Sequence, residues 1–132
     1  MTSSKTTTPT EVLHQWMAHV NKGNVEGLLG VYDENAVLIP TFSNRLLKGR
    51  EALRGYFEKL GSKEELSIAL HEKTLITQDI GDNMYTISGI YNWRFAVDGE
   101  VLNFEARFDY LLDLKKNSPI LHHHSSQIPR AI

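Results

Sequence analysis

His122-His123-His124-Ser125-Ser126 puts three imidazoles and two hydroxyls on five consecutive residues, and accounts for half of the chain's six histidines. Ile120-Leu121 precede the run and Ile128-Pro129 follow it, the setting of a terminal strand rather than of a purification tag or a solvated loop. On a strand, successive side chains alternate between faces. One face then carries His122, His124 and Ser126, and the other His123 and Ser125. Whichever face points inward takes at least one imidazole and one hydroxyl into the fold, where polar groups must find partners. Imidazole titrates near neutrality and hydroxyls both donate and accept, so such a set fits proton transfer or the stabilisation of a developing anion. A zinc reading is the competitor. His122 and His124 share a face, as paired ligands do. Among strand histidines only His71 stands out as a third ligand, and no single Asp or Glu recommends itself.

The remaining composition narrows the class. At 132 residues, the chain makes one domain that buries about 65–70% of its unfolded surface. It has no cysteine, which excludes disulfides, thiol nucleophiles and cysteine-bound zinc, and fits a cytoplasmic location. The net charge of −2 leaves no basic footprint for nucleic acid. No apolar run is long enough to span a membrane, and the polar start, Met1-Thr2-Ser3-Ser4, lacks the apolar core of a secretory signal.

The elements that must position the terminal strand follow in order. Residues 1–9 read as a flexible tail and residues 10–132 as one domain. Thr8-Pro9-Thr10-Glu11 has the spacing of a capping box with proline at the first helical position. The helix it opens shows Val12, Leu13, Trp16, Met17 and Val20 on one face and stops at Lys22-Gly23. Asn24 caps a short second helix through Tyr32. Asp33-Glu34-Asn35 reads as a turn, residues 36–40 as a strand ended by Pro40, and Thr41-Phe42-Ser43-Asn44 as the loop at its exit. A short strand over 46–48 leads to a third helix over 50–60, with Leu53, Tyr56 or Phe57, and Leu60 inward. From Leu66 the period changes to two, with strands over 66–71, 73–78, 84–95, 102–114 and 120–128. Asp98-Gly99 marks a hairpin. Three helices and then a long antiparallel sheet is an α+β arrangement. A bent sheet wrapped around the N-terminal helix makes a cone with an internal pocket, the shape of the nuclear transport factor 2-like, cystatin-like fold. Long strands with alternating apolar residues also leave more sheet than three helices cover, which predicts a homodimer through the outer face.

Four stretches carry a more specific resemblance: residues 38–44, Ala52-Leu53-Arg54-Gly55-Tyr56-Phe57, Ile87-Ser88-Gly89-Ile90-Tyr91 and residues 122–129. In these the chain resembles bacterial relatives of the calcium/calmodulin-dependent kinase II association domain, and within them the iota-class carbonic anhydrases. The resemblance implies reversible hydration of carbon dioxide to bicarbonate, in a pocket that in at least part of the family works without metal or another cofactor. It implies a pocket of Thr41, Tyr56, His123 and Ser125, with the three hydroxyls also binding substrate. The position matched by Ser125 holds a pocket-facing arginine in the kinase association domain, a charge this chain lacks. Arg107 stays outside this set, as either a bicarbonate ligand or a surface ion-pair partner of Glu105 or Asp109. The alternative is a non-catalytic association or small-ligand-binding module of the kinase association-domain type. An isomerase or cyclase would want a carboxylate at 41–44, where there is none.

Overall fold

The computed structural model describes residues 7–131. Of the expected tail, residues 1–6 lie outside the described residues, while Thr8 caps the first helix and Pro9 opens it. In α1 (Pro9–Lys22) the Thr8 hydroxyl accepts from Glu11 N–H and the Glu11 carboxylate accepts from Thr8 N–H, closing the capping box. Gly23, at φ 65°, ends the helix in the left-handed region. Val12, Leu13, Trp16, Met17 and Val20 are buried. Asn21 ties the end of α1 to the sheet by exchanging two hydrogen bonds, of 3.1 and 2.8 Å, with the backbone of Ile68.

After α2 (Val25–Val31), capped by Asn24, come β1 (Tyr32–Ile39), β2 (Leu47–Lys48) and α3 (Arg50–Gly61). The other strands are β3 (Ser67–Leu70), β4 (Ile76–Gly81), β5 (Met84–Val97), β6 (Glu100–Asp113) and β7 (Ile120–Gln127). They form one curved sheet in the order β2-β1-β7-β6-β5-β3, with β4 also paired to β5. The 14-residue strands β5 and β6 pair along their whole length. Asp98 and Gly99 turn them at φ 53° and 81°, as a two-residue hairpin requires. The aromatic and aliphatic side chains of the concave face pack on α1 and α3. The Trp16 ring stacks on Tyr91 with centroids 5.6 Å apart.

Three expectations change. Tyr32 starts β1 rather than ending the second helix, and Arg50 holds that junction by donating to the carbonyls of Leu29 and Tyr32. Asp33-Glu34-Asn35 is not a turn but part of β1, bulged out between the pairs Tyr32–Ile120 and Val37–His122. The sheet is mixed, because β7 slots between β1 and β6 and runs parallel to β1. A single turn of 3-10 helix, Glu72–Thr74, separates the two strands that share the β5 edge. Among the described residues no helix is long and apolar enough to cross a membrane.

Candidate active site on the concave face

A bulge decides which histidine enters the fold. Ile120 is fully buried opposite Leu112. Strict alternation from it would point His122 and His124 inward. The register slips, however: Leu111 pairs with His122 and Leu112 with Ile120, so Leu121 is the extra residue. Beyond the slip His123 and Ser125 are buried, each 2% exposed. His122, His124 and Ser126 lie on the convex face, with His124 opposite Asp109 and Ser126 opposite Arg107.

Both nitrogens of His123 are engaged by phenols. Tyr32 Oη is 2.7 Å from Nδ1, and Tyr91 Oη is 3.1 Å from Nε2. The Trp16 indole N–H donates to Tyr32 Oη at 2.9 Å. Tyr110 stacks on the imidazole with centroids 3.9 Å apart and planes 14° from parallel. So α1, β1, β5, β6 and β7 all converge on one ring. Burial first, and then the neighbouring imidazoles of His122 and His124, push His123 well below the usual histidine range. That direction favours the neutral imidazole, whose two nitrogens hold the Tyr32 and Tyr91 phenols.

Thr41 follows Pro40 at the exit of β1, and its hydroxyl is hydrogen-bonded to that of Ser125. Tyr56 stands on α3 between the buried Leu53 and Phe57. Its Oη accepts from Phe42 N–H at 3.3 Å, which pins the exit loop to α3. Burial raises the Tyr56 hydroxyl to about 12, partly offset by that hydrogen bond. Tyr91 is raised much further by burial, with the Ser125 and Thr41 hydroxyls acting in the opposite direction. Tyr32 is raised as well, again chiefly by burial. These phenols are neutral donors at any ordinary pH.

Thr41, Tyr56, His123 and Ser125 line one small cavity together with Trp16, Tyr91 and Trp93. Its free space is ≈ 10 Å³, room for about one water molecule. No Asp, Glu, Lys or Arg lines it. Tyr56 also borders a wide cleft of ≈ 900 Å³ between α3 and residues 42–48, which Phe42 lines as well. Tyr56 is thus the side chain that stands between the cavity and the cleft.

Sequence reasoning singled out the four residues just placed and missed Trp16, Tyr32, Tyr91 and Trp93 as polar participants. A signal existed for two of them. Ile87, Gly89, Tyr91, Trp93 and Phe95 share one phase of β5, so an inward apolar face carries two aromatic side chains with polar atoms. Tyr32 was masked by its position at the helix–strand junction. The zinc alternative finds no support in the geometry. His71 Nε2 meets Glu105 Oε2 at 2.8 Å on the exposed surface, and among the described residues no three His, Asp or Glu side chains gather as a metal site. Arg107 is exposed on the convex face and makes no ion pair among the described residues.

A curved mixed sheet packed against three helices, with a polar pocket on its concave side, is the nuclear transport factor 2-like, cystatin-like cone. Solved structures with this fold include a protein from Xanthomonas campestris assigned to the calcium/calmodulin dependent protein kinase II association domain. It is 22% identical, with a TM-score of 0.82 over 98% of this chain and 97% of that one. A protein of the NTF2-like family from Streptomyces avermitilis, described as a candidate dehydratase, is 12% identical, with a TM-score of 0.77 over 92% and 94%. SalBIII, an epoxide hydrolase/cyclase-like enzyme in pyran ring formation in polyether salinomycin, is 17% identical, with a TM-score of 0.74 over 90% and 89%. No curated protein matches. The family model of the calcium/calmodulin dependent protein kinase II association domain matches residues 8–129, and the chain belongs to that family.

Proposed function

We propose that this chain is a carbonic anhydrase of the iota class, hydrating carbon dioxide reversibly to bicarbonate without a bound metal. The observation that carries the reading is the meeting of Thr41 and Ser125, 84 residues apart, as two hydroxyls in contact inside a cavity lined mainly by aromatic rings. A water held there has donors and acceptors on one side and apolar ring faces on the other, where the gas would lie. Attack forms a C–O bond as one C=O π bond of carbon dioxide opens, and the negative charge that its electron pair brings to oxygen is met by O–H donors from Tyr56 and the Thr41–Ser125 pair. The proton of the attacking water leaves to solvent. His123 does not keep it, because its basicity is depressed. The cavity accommodates about one water, so the gas enters through displacement of Tyr56, which borders both the cavity and the cleft. The same pocket excludes the carboxylate-based isomerase mechanism, since its lining has no Asp or Glu.

The second reading is an association or small-ligand-binding module, favoured by the family match over residues 8–129 and by the closed state of the cavity. Stopped-flow carbon dioxide hydration on exhaustively chelated protein separates the two. The anhydrase reading expects a rate above the uncatalysed one that chelation leaves unchanged. A rate equal to the uncatalysed one points to the binding module. Loss on chelation, with recovery on adding zinc or manganese, overturns the metal-free mechanism.

A further inference from the structure

Trp93 lines the cavity, is 2% exposed, and its indole N–H has no partner among the described residues. Buried donors are rarely left so, and an indole N–H can only donate. Whatever completes it must be an acceptor. The rest of the lining has the same polarity, and the reason starts at Trp16. Its indole is also donor-only, so Tyr32 Oη must accept from it. If His123 carried its proton on Nδ1, Tyr32 would accept a second time and its own buried O–H would have nowhere to go. Tyr32 therefore donates to Nδ1, and the imidazole proton sits on Nε2, donated to Tyr91 Oη. Tyr91 accepts from that N–H, so its own O–H remains to be donated, in a lining it shares with Ser125 and Thr41. Those two bring two protons, one of which is used between them. The other is left for the cavity. Tyr56 Oη accepts from Phe42 N–H, so its proton is free as well.

We propose that this pocket is polarised toward donors, and that it takes a small oxyanion of the bicarbonate or formate type whose acceptor oxygens meet those donors, with Trp93 Nε1–H as a ligand-binding group. Trp16 and Tyr32 are positioning residues that act through His123 by fixing its Nε2–H tautomer. This rests on the hydration reading for the physiological ligand, but neither tautomer nor anion binding needs turnover to be observed. With no cation in the lining, compensation of the anion's charge falls to charge-assisted hydrogen bonds from these donors.

Long-range proton–nitrogen NMR on protein labelled at histidine and tryptophan tests both halves. His123 is expected with Nε2 protonated and Nδ1 bare, and Trp16→Phe is expected to shift it toward the Nδ1–H form by freeing the Tyr32 oxygen to accept. An Nδ1–H tautomer in the unaltered protein overturns the polarity. Formate is expected to saturate a downfield shift of the Trp93 indole proton, while formamidinium, the same shape with donors in place of acceptors, leaves it unmoved. Trp93→Phe, checked for an unchanged fold by circular dichroism, is expected to weaken formate binding about tenfold, the loss of one hydrogen bond. A Trp93 signal that formate fails to move, or that formamidinium moves equally, overturns the ligand class. If formate binds as described but carbon dioxide hydration stays at the uncatalysed rate, the hydration reading fails and the oxyanion site stands.

Discussion

Tyr32 Oη and His123 Nδ1 lie 2.7 Å apart across 91 residues of sequence, joining the first long strand to the last. Tyr32→Phe removes the hydroxyl but keeps the ring, which packs near Phe57 with centroids 5.7 Å apart. The change orphans both the Trp16 N–H and one nitrogen of His123. Each such group costs about 1–3 kcal/mol, so a loss above ~2 kcal/mol is expected by urea unfolding. Tyr110 is the internal comparison, since its Oη is buried with no partner among the described residues. Tyr110→Phe is expected to be neutral within ~0.5 kcal/mol or stabilising. Equal losses at the two positions would mean that hydrogen bonding to His123 is not what holds the network.

Stability should depend on pH through the same imidazole. Burial lowers the folded pKa of His123 well below the ordinary histidine value of ~6.5. The unfolded chain therefore binds a proton that the native state refuses, and stability rises with pH across that interval. The contribution is complete above the unfolded value of ~6.5 and is lost as pH falls from there through the folded pKa. The urea midpoint should decline between pH 7 and 5, and His123→Gln should flatten that slope. Below about pH 4.5 the carboxylates of Glu26, Asp33 and Asp113, all lowered by Arg or Lys partners, add a decline of the same sign. An unchanged slope in His123→Gln would assign the effect to other groups.

Turnover should follow the faces of β7. Thr41→Val, Tyr56→Phe and Ser125→Ala each take one hydroxyl from the cavity with little change of volume. If these hydroxyls stabilise charge in the transition state, each change costs ~2.7–4 kcal/mol, a fall of about 100-fold or more. Ser126→Ala, on the convex face opposite Arg107, is expected to leave the hydration rate within a factor of about two, as surface substitutions do. A stopped-flow series in which Ser126→Ala abolishes activity and Ser125→Ala does not would reverse the assignment of the strand's faces.

The cone and most of its elements are legible because their signals are local. The α1 cap, the α1 face and the Asp98-Gly99 hairpin depend on residues a few positions apart. The inward choice of His123 over His122 does not, since it follows from one extra residue, Leu121, in the pairing of β7 with β6. A one-residue slip inverts every face beyond it and leaves no mark in composition. Here the family resemblance supplied the phase that periodicity left open. The polar roles of Trp16 and Tyr32 were illegible for a related reason. Both read as core aromatics, and only the meeting of α1 and β1 with β7 gives their N–H and O–H a chain to belong to.

Assembly is the last expectation, and the structure relocates its basis. The convex face of β6 and β7 is polar, carrying Asn103, Glu105, Arg107, Asp109, His122, His124 and Ser126. That surface alone does not call for a cover. The apolar surface sits instead on β4, whose six residues are all exposed, with Ile76 and Ile80 at 64% and 57%. Among the described residues β4 pairs only with β5, so its outer edge offers unpaired backbone groups beside two bare isoleucines. Such an edge invites pairing with another chain unless it is covered. Ile76 also borders the shallow hollow of the convex face that contains Arg107, Asp109 and His124, so a second copy lying over β4 reaches that face as well. The expected species is a homodimer at micromolar concentration. Replacing both isoleucines, Ile76→Lys with Ile80→Lys, is expected to give a folded monomer, because a dimer would then bury four uncompensated charges. Light scattering that finds the unaltered protein monomeric would remove the dimer, and a dimer that survives the double replacement would place its interface elsewhere.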